Sequence, residues 1–330
     1  MANTTYLITG GAGFIGSHLA DALAARGERV LVVDNVSTGR VDNLRHLLER
    51  QAVEFHEGSI LDEDLVRTLV GEADVVVHLA ASVGVKLVVE RPLEALTNNI
   101  RGTEIVLEAC ADLGRKVLVA STSEIYGKNA SGPLREDADR ILGSPLKARW
   151  SYSTAKAVDE ILAHMYWRER GTPSIVVRLF NCVGPRQTGT YGMVVPTFVQ
   201  QALRGEPITV YGDGEQRRCF GHVHDTVRAI VGLLDHPEAV GDVYNIGSGQ
   251  EISINRLAEL VIRMTGSPST VVHIPYAVAY EEGFEDMERR VPDVAKLERL
   301  TGWRPHRSLE EILSDVIDHE RSRAMAATGT

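Results

Sequence analysis

The stretch TYLITGGAGFIG, residues 5–16, constrains the fold of this chain more than any other. A short apolar run ends in Gly10, Gly13 and Gly16, and the chain then enters the amphipathic segment Phe14 to Ala25. Glycines at this spacing permit a tight turn without Cβ atoms, bring backbone N–H groups against a pyrophosphate, and aim a helix N-terminus at its charge. The run RVLVVD then ends in Asp34, 18 residues after Gly16. A carboxylate there accepts hydrogen bonds from an adenosine ribose and repels a 2′-phosphate, so NAD is expected in preference to NADP. Phe14 and Ile15 in the loop and Asn35 beside Asp34 join the expected cofactor contacts.

The same alternation continues. Apolar runs TYLIT, RVLVVD, VEFHEG, ADVVVHLAA, RKVLVAST and PSIVVRLF are separated by helical patterns at about 14–25, 42–49, 62–69, 92–113 and 153–168. Strands alternating with helices predict an α/β fold, a doubly wound parallel sheet of the Rossmann type. The segment HLAAS supplies Leu79, Ala80 and Ala81 as small strand-end residues for a cofactor to lie against, with Asn99 opening the next helix and Ser59 and Ile60 near the adenine edge. After about residue 180 the elements shorten. A strand–turn–strand pattern in ITVYGDGEQRRCF and helices near 195–203, 225–235, 254–264, 294–300 and 309–320 predict a smaller C-terminal substrate-binding α/β lobe, mainly over residues 181–330, against an NAD-binding domain over 1–180, with some interleaving of the chain between them. The closing RAMAATGT reads as a frayed tail.

Composition removes other classes. With 44% hydrophobic residues the chain fills a core, and a net charge of -10 without a basic cluster argues against nucleic-acid binding. Cys110, Cys182 and Cys219 form no CxxC pair and read as core thiols in a reducing compartment. No signal-like leader and no long apolar window are present, which points to the cytoplasm and away from a membrane. His222 and His224 in GHVHD lack a third ligand at metal spacing, so no metal is expected.

The catalytic signal is SYSTAK, which sets Tyr152 and Lys156 four apart on one helix face. A phenol of ordinary pKa near 10 is a poor base, but a neighbouring ammonium and a cationic nicotinamide both favour its phenolate, making a proton acceptor for an alcohol being oxidised.

These residues resemble the extended short-chain dehydrogenase/reductases that act on nucleotide sugars, and the resemblance runs from TGGAGFIG through YSTAK and RLFNCVGPRQ to RRVPDVAKLERLTGW. It implies Thr122, Tyr152 and Lys156 as the catalytic Ser/Thr, Tyr and Lys. It also implies a UDP-sugar substrate contacted by Ser123, Asn181, Arg186, Val195, Tyr211, Gln216, Arg218, Arg290 and Asp293, with the arginines on the phosphates, and a homodimer built on the helices at 92–113 and 153–168. Within the family, STSE before Tyr-Gly, the arginine of KARWSY and the RRxPD pattern are similar to UDP-glucuronate decarboxylases of the UDP-xylose synthase type. Simple 4-epimerases more often carry only Ser/Thr at the position of Glu124 and lack the arginine at 149. Glu124 and Arg149 are therefore the discriminating pair, Glu124 to position a water or deliver a proton to carbon 5 and Arg149 to bind the carboxylate or order the loop. The loop QTGTYGMVVP resembles epimerase loops and keeps a UDP-glucuronate or UDP-glucose 4-epimerase as the alternative. A catalytically silent NAD-binding module is the reading from another class, and the intact triad argues against it.

Overall fold

A computed structural model of the chain describes residues 3–82, 92–189, 192–275, 287 and 289–328. The first half alternates β1 (Thr5–Thr9), α1 (Phe14–Ala25), β2 (Arg29–Asp34), α2 (Arg45–Leu48), β3 (Glu54–Glu57), α3 (Glu63–Glu72), β4 (Val75–His78), α4 (Pro92–Leu113), β5 (Lys116–Thr122), α5 (Ser151–Arg170) and β6 (Ser174–Leu179). The strands are β-branched and sealed on both faces, as a parallel sheet between helix layers requires. One apolar cluster joins the sheet to α1, and another packs its opposite face with Val66, Leu69, Ile105, Leu107 and Ala163. The pattern expected at 42–49 divides into a 3-10 turn, Val41–Leu44, and the short α2.

The second half contributes β7 (Cys182–Val183), α6 (Val194–Leu203), β8 (Ile208–Tyr211), β9 (Arg217–Cys219), β10 (Gly221–His222), α7 (Val223–Leu234), β11 (Val243–Ile246), β12 (Glu251–Ser253), α8 (Ile254–Thr265), β13 (Val271–Ile274), β14 (Arg289–Arg290), α9 (Ala295–Thr301) and α10 (Leu309–Thr328). The main sheet runs β11-β6-β5-β4-β1-β2-β3, all parallel. Its order reverses between β1 and β4, and ligands of open α/β sheets bind at the carboxyl ends of the strands beside such a switch point.

Residues 221–246 return to the sheet: α7 packs into the core beside α1 and β11 extends the edge at β6. A boundary at 180 therefore divides the chain in sequence but not in space. The strands flanking Gly212 and Gly214 do not pair with each other; β8 pairs β13, while β9 lies between β12 and β14. Both glycines have positive φ, +74° and +76°, and the turn separates two small sheets. Finally, α10 runs on to Thr328 where a tail was expected, because Arg, Ala and Met are strong helix formers.

Candidate active site

The carboxyl ends of β1, β2, β4, β5 and β6 open into one cavity of about 1220 Å³ that continues into the lobe. At its sheet end, Gly10 turns with φ +72°, and a Cβ there would stand 2.8 Å from the Ala80 backbone. A Cβ on Gly16 would run into the Gly10 carbonyl oxygen. Such a loop accepts no side chains and presents backbone to whatever lies above it. Asp34 accepts from the Ala12 N–H at 3.0 Å and the Val36 N–H at 2.8 Å, so the strand-end carboxylate also fixes the glycine loop. Burial pushes its carboxyl up, and the backbone donors of Val36, Ala12 and Gly13 oppose that.

Phe14, Ile15, Asn35, Ser59, Ile60, Leu79, Ala80, Ala81 and Asn99 all line this end. Asn99, expected to open the helix, lies inside α4, which begins at Pro92; it is buried and clamps Ser82 through both its amide groups, at 2.7 and 3.2 Å. Ser59 accepts from the Leu61 N–H. A Cβ-free cradle, a helix N-terminus and a ribose-facing carboxylate fit a dinucleotide.

Thr122 ends β5, where its hydroxyl accepts from the Glu124 N–H at 3.2 Å and caps the 3-10 turn Ser123–Tyr126. Ser153 on α5 donates to the Glu124 carbonyl at 2.9 Å, tying this turn to the helix that carries Tyr152 and Lys156. Thr122, Ser123, Glu124, Arg149, Tyr152 and Lys156 line the cavity together. Lys156 pairs with Asp159 at 3.0 Å, and both side chains are almost wholly enclosed. Burial raises the Tyr152 phenol, and the charges of Glu124 and Asp159 raise it further. The tyrosine is thus a phenol in this state, and a proton-accepting role needs positive charge to arrive with a ligand.

Glu124 sits between two arginines. One carboxylate oxygen is 2.5 Å from Arg149 Nη1 and the other 3.5 Å from Arg290 Nη1, with all three side chains largely buried. Burial pushes the Glu124 carboxyl up, but Arg149 and then Arg290 outweigh it and hold it below the ordinary carboxylate range. Glu124 is therefore an anion that accepts hydrogen bonds and has no proton of its own to deliver. Arg149 also lies 5.6 Å over the Trp150 ring, which fixes the guanidinium plane. Arg290 donates to Asn181 at 2.8 Å, and Asn181 donates to the Cys219 carbonyl at 2.9 Å.

The lobe end of the cavity is lined by Asn181, Val195, Tyr211, Gln216, Arg218 and Arg290. Arg218 and Arg290 are register partners on neighbouring strands, which sets two buried guanidinium groups side by side. The sequence reading placed Arg290 on phosphates; the fold also brings it against Glu124. Two expected substrate residues do not line the cavity. Arg186 has φ +68° and turns its guanidinium to Asp21 on α1, at 2.8 Å. Asp293 accepts from the Ala295 N–H at 2.8 Å and starts α9, facing a separate surface cleft with Arg135 and Lys296.

Asp159 and Met287 carried no expectation, although Met287 lines the cavity and Asp159 holds the lysine. The signal for Asp159 was its place three residues after Lys156 on the same helical face. The His222–His224 pair has a local role: His222 accepts from the His224 N–H at 3.0 Å to cap α7 and faces Asp315 at 3.2 Å. Cys110, Cys182 and Cys219 are free thiols, each pushed up to about 12 mainly by burial.

A glycine cradle at the switch point, with a Tyr-x-x-x-Lys helix and a strand-end threonine facing it, defines the extended short-chain dehydrogenase/reductase class. The chain belongs to the family described as GDP-mannose 4,6 dehydratase, whose model matches residues 7–316. It is 42% identical over 312 residues to the UDP-N-acetyl-alpha-D-glucosaminuronate decarboxylase of Bacillus cytotoxicus, covering 94% of this chain and 96% of that one. It is 37% identical to UDP-glucuronic acid decarboxylase 1 of Xenopus tropicalis over 96% of this chain and 72% of the relative. Among solved structures, the UDP-glucuronic acid 4-epimerase of Bacillus cereus, in complex with UDP-glucuronic acid and NAD, matches with a TM-score of 0.87 at 30% identity over 97% of this chain and 99% of that one.

Proposed function

We propose that this protein is an NAD-dependent UDP-glucuronate decarboxylase that oxidises sugar carbon 4, releases CO2 from the 4-keto acid, and yields UDP-4-keto-xylose, UDP-xylose or both. The observation that carries the reading is Glu124 held between Arg149 and Arg290 in the same cavity as Thr122, Tyr152 and Lys156. The two named decarboxylase relatives support it. The Bacillus cytotoxicus relative adds the 2-acetamido analogue of the substrate as a second candidate, because the chemistry at carbons 4 to 6 is indifferent to the group on carbon 2.

Bound against the glycine loop, NAD supplies the acceptor for hydride from carbon 4 and its later return. Tyr152 takes the carbon 4 hydroxyl proton, Thr122 hydrogen-bonds that hydroxyl, and the Lys156 ammonium favours the phenolate. The resulting ketone is β to the carbon 6 carboxylate. The carbon 5–carbon 6 bond breaks, CO2 departs, and its electron pair passes into a carbon 4 enolate. Arg149 and Arg290 supply positive charge near the leaving carboxylate and the enolate, while Glu124 keeps the two guanidinium groups apart and orders a water as the proton source for carbon 5. Tyr152 returns its proton when the ketone is reduced. Arg218, Tyr211 and Gln216 serve the UDP moiety, since a guanidinium fork suits a diphosphate.

A homodimer through α4 and α5 belongs to the same reading, supported by exposed Leu93 and Ile161 on those helices. No described helix is long and apolar enough to cross a membrane.

Mass spectrometry and NMR of the products from UDP-glucuronate and its 2-acetamido analogue test the assignment. A UDP-pentose or its 4-ketone is expected from at least one; a carbon 4 epimer of unchanged mass from both assigns the chain to the epimerases instead.

A further inference from the structure

Beneath the catalytic lysine lies a polar chain that the proposed reaction leaves without a task. Asp159 is fully enclosed on α5, and Lys156 Nζ is 3.0 Å from one of its oxygens. Among the described residues neither carboxylate oxygen reaches solvent or a well-aligned hydrogen-bond donor, so the ammonium is the charge that makes the buried aspartate tolerable. The Thr103 hydroxyl, from α4, stabilises the same carboxylate. His78 Nε2 lies 3.1 Å from Thr103 Oγ1, and its Nδ1 lies 2.8 Å from Thr9 Oγ1. Thr9 Oγ1 also accepts from the Ala80 N–H at 3.2 Å.

With His78 in its Nε2–H tautomer, Thr9 Oγ1 accepts from Ala80 and donates to Nδ1, and the Nε2–H donates to Thr103, which lies beside Asp159. His78 is neutral, its pKa lowered to about 3 by burial and by the charge of Lys156. The hydrogen-bonded chain runs from Ala80, part of the cofactor wall, through Thr9 and His78 to Thr103 beside Asp159.

We propose that Asp159 is a positioning residue: it anchors the Lys156 ammonium and balances its charge, so that Tyr152 becomes a base only when an oxidised, positively charged nicotinamide joins the pair. This rests on the reading of Tyr152 as the proton acceptor. Among the described residues, the groups acting on Tyr152, Lys156 and Asp159 are Glu124 with Arg149 and Arg290 at the cavity wall, His78 from β4, Thr103 from α4, and Glu160 on α5 itself. Among these the Lys156–Asp159 pair is internally neutral, and the negative Glu124 and Asp159 both oppose the phenolate.

The test is cofactor affinity against pH, measured separately for NAD+ and NADH by fluorescence. If the cationic ring draws the proton from Tyr152, NAD+ affinity rises with pH through a midpoint and NADH affinity does not. Asp159→Asn moves that midpoint down by about one pH unit, the scale of one nearby charge, and Asp159→Glu restores it. Tyr152→Phe abolishes the pH dependence. A midpoint unmoved in Asp159→Asn, with weaker binding at every pH, overturns the proposal. Persistence of the pH dependence in Tyr152→Phe overturns instead the reading of Tyr152. Should Asp159→Asn fail to fold, Asp159→Ser replaces it. Asp159→Ser, which also removes the charge, is then expected to lower the midpoint by about one pH unit, and an unmoved midpoint contradicts the proposal.

Discussion

The Glu124 carboxylate and the Arg149 guanidinium meet at 2.5 Å inside the cavity, where the arginine holds the acid below the ordinary carboxylate range despite its burial. An anion in this place acts through charge and accepted hydrogen bonds. Glu124→Gln keeps the shape and removes the charge, so it separates oxidation from CO2 loss. Carbon 4 oxidation, read as the NADH absorbance in a single turnover, is expected to survive, while CO2 release falls at least about tenfold, the scale of a modest positioning or proton-transfer contact. Equal CO2 release in parent and variant would show that the carboxylate has no such part.

The glycine loop makes a steric prediction. Gly16→Ala places a methyl on the Gly10 carbonyl oxygen, backbone that cannot step aside. Overpacking of this kind costs about 1–3 kcal/mol. NAD affinity, measured by calorimetry, should fall at least about tenfold while the far-ultraviolet spectrum stays that of the parent; undiminished affinity would place the dinucleotide elsewhere.

Asp34 should set cofactor choice. Asp34→Asn removes the charge that repels a 2′-phosphate and weakens one charged hydrogen bond to a ribose, an interaction of about 1.5–3 kcal/mol. The ratio of NAD to NADP affinity should drop about tenfold or more. An unchanged ratio would mean that Asp34 serves only its bonds to Ala12 and Val36.

Acid should destabilise the fold well above the carboxylate range. His78 and His18 are lowered to about 3 and about 4, in each case first by burial. Both protonate in the unfolded chain near pH 6.5 but stay neutral when folded. Between those values the unfolded state binds more protons, so stability is lost as pH falls, by up to about 1.4 kcal/mol per pH unit for each group. Glu124 adds to the loss at lower pH, because its ion pairs are fully present above its unfolded pKa and disappear as pH falls through its depressed folded value. Urea unfolding between pH 7 and pH 5 measures the slope, and His78→Asn should reduce it by about one proton; an identical slope would mean that His78 titrates alike in both states.

The dinucleotide half was legible because its demands are local. Gly10, Gly13, Gly16 and Asp34 lie within one βαβ unit, and Tyr152 and Lys156 share one turn-spaced helix face, so chain order alone predicts their meeting. Arg290 was legible as an arginine but not as a neighbour of Glu124, since their approach depends on β14 pairing with β9, a long-range register. The same limit explains Arg186 and Asp293: the motif carried their identities, while a left-handed backbone and a helix start decided where their side chains went. Asp159 escaped notice because an acid on an amphipathic helix ordinarily faces water, and only the packing of α4 on α5 seals it. The pairing of β8 with β13 was hidden likewise, because it joins strands about sixty residues apart, and nothing local to the glycine turn names the partner.

If a 4-keto sugar acid loses its carboxylate in this cavity, UDP-glucuronate labelled at carbon 6 and incubated with the protein and NAD releases its label as CO2 in step with formation of a UDP-pentose or its 4-ketone. Label retained in UDP-galacturonate, with no CO2, would rule decarboxylation out.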